Sequence, residues 1–111
     1  QKFADAFGSP RAPDEPLTER HQHLAASLQT VLERSALRLA HELHRLTGAQ
    51  ALCIAGGVGL NCSMNGRLAR EGPFRELFVP PAPHDAGCAM GAALLTQHVL
   101  LRQPRRTVRS A

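Results

Sequence analysis

The sequence predicts an α/β fold in the order helix, strand, helix, strand, helix, and three observations carry that expectation. The run Ala51-Leu52-Cys53-Ile54-Ala55 is apolar, too short for a helix and closed by Gly56-Gly57; it reads as a strand covered on both faces, as in a parallel sheet. Leu77-Phe78-Val79 repeats the pattern on a smaller scale. Around and between these runs, apolar residues recur at helical spacing, and a helix between two strands makes them parallel.

Taken in order, residues 1–17 hold Gly8, Ser9, Pro10, Pro13 and Pro16, a composition that resists regular structure and predicts an extended approach segment. Thr18 is a candidate N-cap for a long helix whose apolar stripe is Leu24, Ala25, Leu28, Leu32, Ala36, Leu39, Leu43 and Leu46, stopped by Gly48. Arg34, Arg38, His41 and Arg45 fall on the opposite face, where water is the default partner. Such a helix would run roughly 45 Å, long for a small domain, which makes Ser35 a candidate bend.

After the central strand, Gly56 and Gly57 let the backbone turn sharply and expose its amides to a ligand or another stretch of chain. Asn61 can cap a short helix over Cys62–Glu71, closed by Gly72 and Pro73. Pro80, Pro81 and Pro83 then stiffen a loop that delivers His84 and Asp85 to a last helix ending near Leu101, before Pro104. That helix is built of small residues, and Gly91 within it costs about 1 kcal/mol relative to Ala, which anticipates close approach of another backbone or a ligand. Function is expected at the glycine turn, because α/β proteins hold phosphate and nucleotide where a helix N-terminus follows the carboxyl end of a strand. Two short parallel strands do not make a stable sheet, so another chain or more of a longer polypeptide is expected to complete it.

A length of 111 residues bounds one modest domain. No apolar run reaches membrane-spanning length and no charged-then-apolar leader follows Gln1, which reads as a cytoplasmic chain with no membrane partner. Cys53, Cys62 and Cys88 are odd in number and lack C-x-x-C spacing, which argues against a disulfide framework or structural zinc and for buried reduced thiols. The formal charge is +4, but Arg102, Arg105, Arg106 and Arg109 lie in a stretch, 102–111, that holds no acid; the rest is balanced, nine basic residues against nine acidic. This is a basic tail, ordinarily solvated, and with no Trp or Tyr to stack bases it does not point to nucleic acid.

The run Ile54-Ala55-Gly56-Gly57-Val58-Gly59-Leu60-Asn61-Cys62, then Asn65-Gly66-Arg67-Leu68, Phe78-Val79-Pro80-Pro81 and Asp85-Ala86-Gly87-Cys88-Ala89-Met90-Gly91-Ala92-Ala93 resembles the O-carbamoyltransferases of the nodulation-protein and antibiotic-tailoring type. The Glu15-Pro16-Leu17-Thr18 lead-in and long helix resemble them too, so the likeness covers about Phe3 to Leu100. It implies a partial actin-like ATPase lobe of the ribonuclease-H-like class: residues 18–101 would be the second half of a domain shared with actin, sugar kinases and heat-shock ATPases. Such enzymes make a carbamoyl-adenylate from carbamoyl phosphate and ATP in a second domain and pass the carbamoyl group to a hydroxyl of a small-molecule acceptor. By that resemblance Gly56 and Gly57 would meet the nucleotide through their backbone, Asn61 would hydrogen-bond its sugar, and Asp85 would ligate a divalent metal, iron in this reading. The remaining ligands, a His pair, would lie in a first lobe that this chain lacks, as it lacks the adenylate-forming domain. The chain departs from the family pattern at His84, where a small residue is expected, and at Gly59, where alanine is.

Each of these residues has a plainer reading. Asp85 and Asn61 both stand where helices begin and would serve as ordinary caps. His41 and His44, spaced i, i+3, read as a solvated face, and Cys62 has no neighbouring His in sequence to activate it as a nucleophile. Gly57-Val58-Gly59 partly imitates a dinucleotide fingerprint, so an oxidoreductase fragment is one alternative, although Leu77-Phe78-Val79-Pro80 supplies no ribose-binding acid. A non-catalytic interaction module built on the long helix and the arginine tail is the other.

Overall fold

A computed structural model describes residues 2–105, which form two compact units dividing at Leu32–Glu33. In the first unit, the segment expected to be extended begins with a helix, α1 (Lys2–Phe7). Phe3 and Phe7 stack one turn apart with ring centroids 4.7 Å from each other, a pair that stabilises a short helix. Gly8 ends it with φ +81 and its N–H on Ala4 O at 2.7 Å, the left-handed stop that glycine allows. The prolines act only after that point. Glu15 Oε2 accepts from Ala12 N at 3.0 Å and Arg11 Nη1 donates to Ala12 O at 2.9 Å, so this stretch is held by local bonds.

Helix α2 (Glu19–Thr47) starts where the sequence places it. The Thr18 carbonyl accepts from His21 N at 3.0 Å, and Thr18 N donates to His21 Nδ1 at 3.1 Å, the returning half of a capping box with histidine in the role of glutamate, while Thr18 Oγ1 meets the same ring nitrogen at 2.8 Å. Gly48, at φ +64 with its N–H on His44 O, stops it. No break interrupts the helix at Ser35.

Within the second unit, α2 buries a different face from the leucine stripe. Ala40 is buried and Ala36, Leu37 and His44 are half-buried, whereas Leu39 is 72% and Leu46 67% exposed. Two contacts fix this rotation: Glu33 meets Arg67 at 3.2 Å, and the His44 ring stands edge-on to Phe74 at 5.4 Å. Glu33 and Ala40 lie near one line along the helix with His44, and a step of one residue turns by about 100°, which carries the leucines out. His44 is thereby corrected from solvated to packed, while His41 is exposed as expected. Arg67 also donates to Glu71 at 3.0 Å; the Glu71 and Glu33 carboxylates raise its guanidinium further above its high ordinary value.

Strands β1 (Ala51–Cys53) and β2 (Glu76–Phe78) pair in parallel, with Leu52 opposite Leu77. Helix α3 (Cys62–Glu71) connects them, and α4 (Gly87–Leu95) follows, running into a wider turn over Thr96–Leu100. The strand order and direction are those expected, but cover on both faces is absent among the described residues. Leu52 and Leu77 turn inward, while Cys53 and Phe78 stand on the open face. Among the described residues the buried side chains are Ala40, Met64, Leu68 and Pro83. Cys53, Cys62 and Cys88 are all exposed, which corrects the expectation of buried thiols. Helix α4 buries no residue, and nothing lies within 4 Å of a Cβ added at Gly91, so the close approach anticipated there is not made by this chain's described residues. Arg102 and Arg105 of the basic tail are described and exposed; Arg106 and Arg109 lie outside the described residues. Among the described residues, no helix is long and apolar enough to cross a membrane.

Asn61 Oδ1 accepts from Met64 N at 2.9 Å, which confirms the cap on α3. Asn61→Ala should therefore cost about 1 kcal/mol and speed amide exchange in the first turn of α3 by about fivefold, measured by hydrogen exchange with mass spectrometry.

Candidate functional site

The two loops that the sequence singled out separately are joined in the structure. Both leave the carboxyl ends of parallel strands, β1 and β2. Ile54 N donates to Phe78 O at 3.0 Å, prolonging the ladder, and Gly56 N then donates to Pro83 O at 2.7 Å. That bond ties the glycine turn to the proline loop one residue before His84 and two before Asp85.

The turn itself is a single 3₁₀ turn over Gly57–Leu60. Gly56 precedes it at φ 94, ψ 168, a region that only glycine enters without strain. Gly59 N returns to Gly56 O at 2.9 Å and Asn61 N to Val58 O at 2.9 Å. Gly56 is thus required by the backbone, and its amide is spent inside the chain, which corrects the expectation that both glycine amides are exposed. Gly57 differs. Its φ is not positive and nothing lies within 4 Å of a Cβ added there, so no contact among the described residues calls for glycine at that position.

Gly59 is buried, and a Cβ on it would come 2.9 Å from Pro83 Cβ and 3.6 Å from Ile54 Cγ2. Glycine at this position lets the Pro83 ring seat against the turn. Asn65 Nδ2 donates to Gly59 O at 2.7 Å from the other side. Pro83 and Asn65 were not among the expected site residues. Their signal was present, Pro83 as the last proline before His84 and Asp85 and Asn65 four residues after the capping asparagine, but Pro83 meets Gly59 from a distant loop and Asn65 meets it across six residues outside any helix ladder, and neither contact leaves a periodic trace.

Asp85 is exposed and does not cap α4. The cap position is Ala86, no side chain caps the helix, and the first turn is closed by His84 O and Asp85 O accepting from Gly87 N and Cys88 N. The ordinary capping reading of Asp85 is therefore corrected. One exposed carboxylate on a braced loop fits a single ligand position on a hard cation and cannot hold one alone. Among the described residues no three His, Cys, Asp or Glu side chains group to hold a metal. Cys62 Sγ lies 3.6 Å from Leu60 O, a contact that ties the thiol to the turn and gives it no base.

Residues 1–94 match the family described as Carbamoyltransferase N-terminus. The chain belongs to the carbamoyltransferase family. It is 50% identical over 106 residues to the uncharacterized protein sll1178 of Synechocystis, covering 95% of this chain and 17% of that protein. It is 48% identical over 85 residues to nodulation protein NolNO of Sinorhizobium fredii, covering 77% and 12%. With nodulation protein NolO of Bradyrhizobium diazoefficiens it shares 46% over 91 residues, covering 82% and 17%. The chain thus spans less than one-fifth of the length of each of these relatives. No solved structure matches it. Membership in the carbamoyltransferase family favours that reading over a dinucleotide-binding oxidoreductase, and the glycine turn and Asp85 loop both lie within the matched residues.

The two glycines should separate cleanly in stability. Gly56→Ala is expected to cost about 1 to 3 kcal/mol from backbone strain, and Gly57→Ala to stay within about 0.5 kcal/mol of the parent. Thermal melts without ligand measure both.

Proposed function

We propose that this chain is the nucleotide-facing part of a carbamoyltransferase, the second half of an ATPase domain of the actin, sugar-kinase and heat-shock type. In the complete enzyme, carbamoyl phosphate, water and ATP give a carbamoyl-adenylate, phosphate and pyrophosphate in a separate adenylate-forming domain. At the site described above, the carbamoyl group then passes to a hydroxyl of a small-molecule acceptor in the cytoplasm, as AMP leaves and the hydroxyl gives up its proton. The observation that carries this reading is the Gly56 N to Pro83 O bond at 2.7 Å, which brings the glycine turn and the Asp85 loop to one edge of the sheet. Ligand sites of α/β proteins form at that carboxyl edge.

In this reading the residues divide the work. Gly57, which has no contact within 4 Å of an added Cβ, lets the nucleotide lie against the backbone, and Gly56 holds the strained corner beside it. Asn61 meets the sugar while its Oδ1 caps α3, placing the start of a helix toward the anionic end of the ligand. Asp85 offers one anionic oxygen to a divalent metal, with the other ligands supplied by the first lobe. That metal, when bound, supplies electrostatic stabilisation of oxygen charge. What this chain contributes is a braced loop that keeps the Asp85 carboxylate clear of its own helix.

The decisive experiment uses Gly57→Ala in the complete enzyme. The expected result is an unchanged melting temperature without nucleotide and, for the nucleotide site outside the adenylate-forming domain, an ATP dissociation constant about tenfold higher, roughly 1.4 kcal/mol. An unchanged dissociation constant would move the nucleotide elsewhere. Asp85→Asn should leave the melting temperature unchanged, because no cap is lost, and remove most bound metal, measured by elemental analysis. Assayed alone with ATP, carbamoyl phosphate and hydroxyl acceptors, the 111-residue chain should show no turnover above background.

A further inference from the structure

We infer that Asn65 is a positioning residue of the nucleotide site, bracing the glycine turn from behind through the carbonyl of Gly59; this rests on the nucleotide reading above. Asn65 Nδ2 donates to Gly59 O at 2.7 Å across six residues of sequence, outside any helix ladder. The other end of the same amide, Oδ1, is buried without a hydrogen-bond partner among the described residues. Only the NH2 end can donate to a carbonyl, so this bond fixes which way the amide lies.

A side chain that makes one neutral hydrogen bond and leaves a buried acceptor unsatisfied gains no more than it loses. A leucine fills nearly the same space and exchanges one orphan for another, leaving Gly59 O without its donor in place of Asn65 Oδ1 without one. Stability therefore does not account for asparagine at this position, and geometry does. Gly59 is where the turn meets the proline loop: a Cβ there would come 2.9 Å from Pro83 Cβ, and Pro83 O receives the Gly56 N–H at 2.7 Å. Fixing the Gly59 carbonyl to α3 fixes the turn and, through Pro83, the start of the loop that carries Asp85. The backbone supports the brace, since Asn65 N donates to Asn61 O at 3.0 Å in the first turn of α3. Asparagines one helical turn apart thus hold the glycine turn, Asn61 at its end and Asn65 from beneath.

The test compares Asn65→Leu, Asn65→Asp and Gly57→Ala in the complete enzyme, reading melting temperature without nucleotide, ATP affinity by calorimetry, and KM for carbamoyl phosphate. Asn65→Leu should melt close to the parent's temperature, since it exchanges one unsatisfied acceptor for another, while binding ATP at least about tenfold more weakly, roughly 1.4 kcal/mol. Asn65→Asp keeps the size but sets a carboxylate oxygen against the Gly59 carbonyl, and should weaken ATP at least as much. KM for carbamoyl phosphate should not move in either. If both Asn65 variants bind ATP like the parent while Gly57→Ala does not, the brace is refuted and the nucleotide site stands. If Asn65→Leu lowers the melting temperature and leaves ATP affinity intact, Asn65 is a strut of the fold. If Gly57→Ala also binds like the parent, the nucleotide site has been misplaced and the inference falls with it.

Discussion

The hydrogen bond from Gly56 N to Pro83 O, 2.7 Å long, is the constraint on which the candidate site depends. Parallel pairing of β1 with β2 sends both site loops from the same edge, but pairing of three-residue strands ends well before either loop reaches its functional residues. The bond closes that gap. It requires Gly56 at φ 94, ψ 168, where a Cβ is strained, and it requires Gly59 to be bare enough for the Pro83 ring. Proline at 83 contributes in its own way, since its restricted φ stiffens the loop that accepts the bond.

The surfaces this unit leaves open are as informative as the site. Among the described residues Ala40, Met64, Leu68 and Pro83 make a very small set of buried side chains, whereas Leu39, Leu43 and Leu46 of α2 and Leu94, Leu95 and Leu100 beyond Gly87 are exposed. A helix apolar on all sides is ordinarily a helix inside a core, and α4 buries none of its residues here. Parallel sheets are likewise covered on both faces, yet Phe78 is 60% exposed. Relatives in which the matched region is 12% to 17% of the length are large enough to supply such cover. The inward face of α2 is the one that this chain's own residues can fill, with Glu33 on Arg67 and His44 on Phe74.

Charge plays a local part. The exposed pair of Arg45 and Glu42, at 2.8 Å, lowers the Glu42 carboxyl by hydrogen bonding, and exposed pairs of this kind add little to stability. The half-buried Arg67 joins Glu33 on one helix to Glu71 on another turn of its own, and sets how α2 is rotated against α3. None of these pairs involves Asp85, whose carboxylate is left at the surface.

The sequence by itself determined what depends on neighbours along the chain. Thr18 and Gly48 bound α2, Asn61 caps α3, and two short apolar runs around a helix make parallel strands, because caps, turns and periodicity act within a few residues. The family too was legible, in the glycine run and the Asp85 segment. Tertiary structure decided the rest. It turned α2 by about a residue's rotation, away from its leucine stripe, because the partners of Glu33 and His44 come from residues some thirty positions on. It assigned the strain to Gly56 and left Gly57 open, a division invisible in two adjacent identical letters. It left Asp85 uncapped, since the carbonyls of His84 and Asp85 close that first turn. And it brought Pro83 and Asn65 to opposite sides of Gly59, a meeting set by how the strands pair and the helix between them returns, which no local pattern encodes.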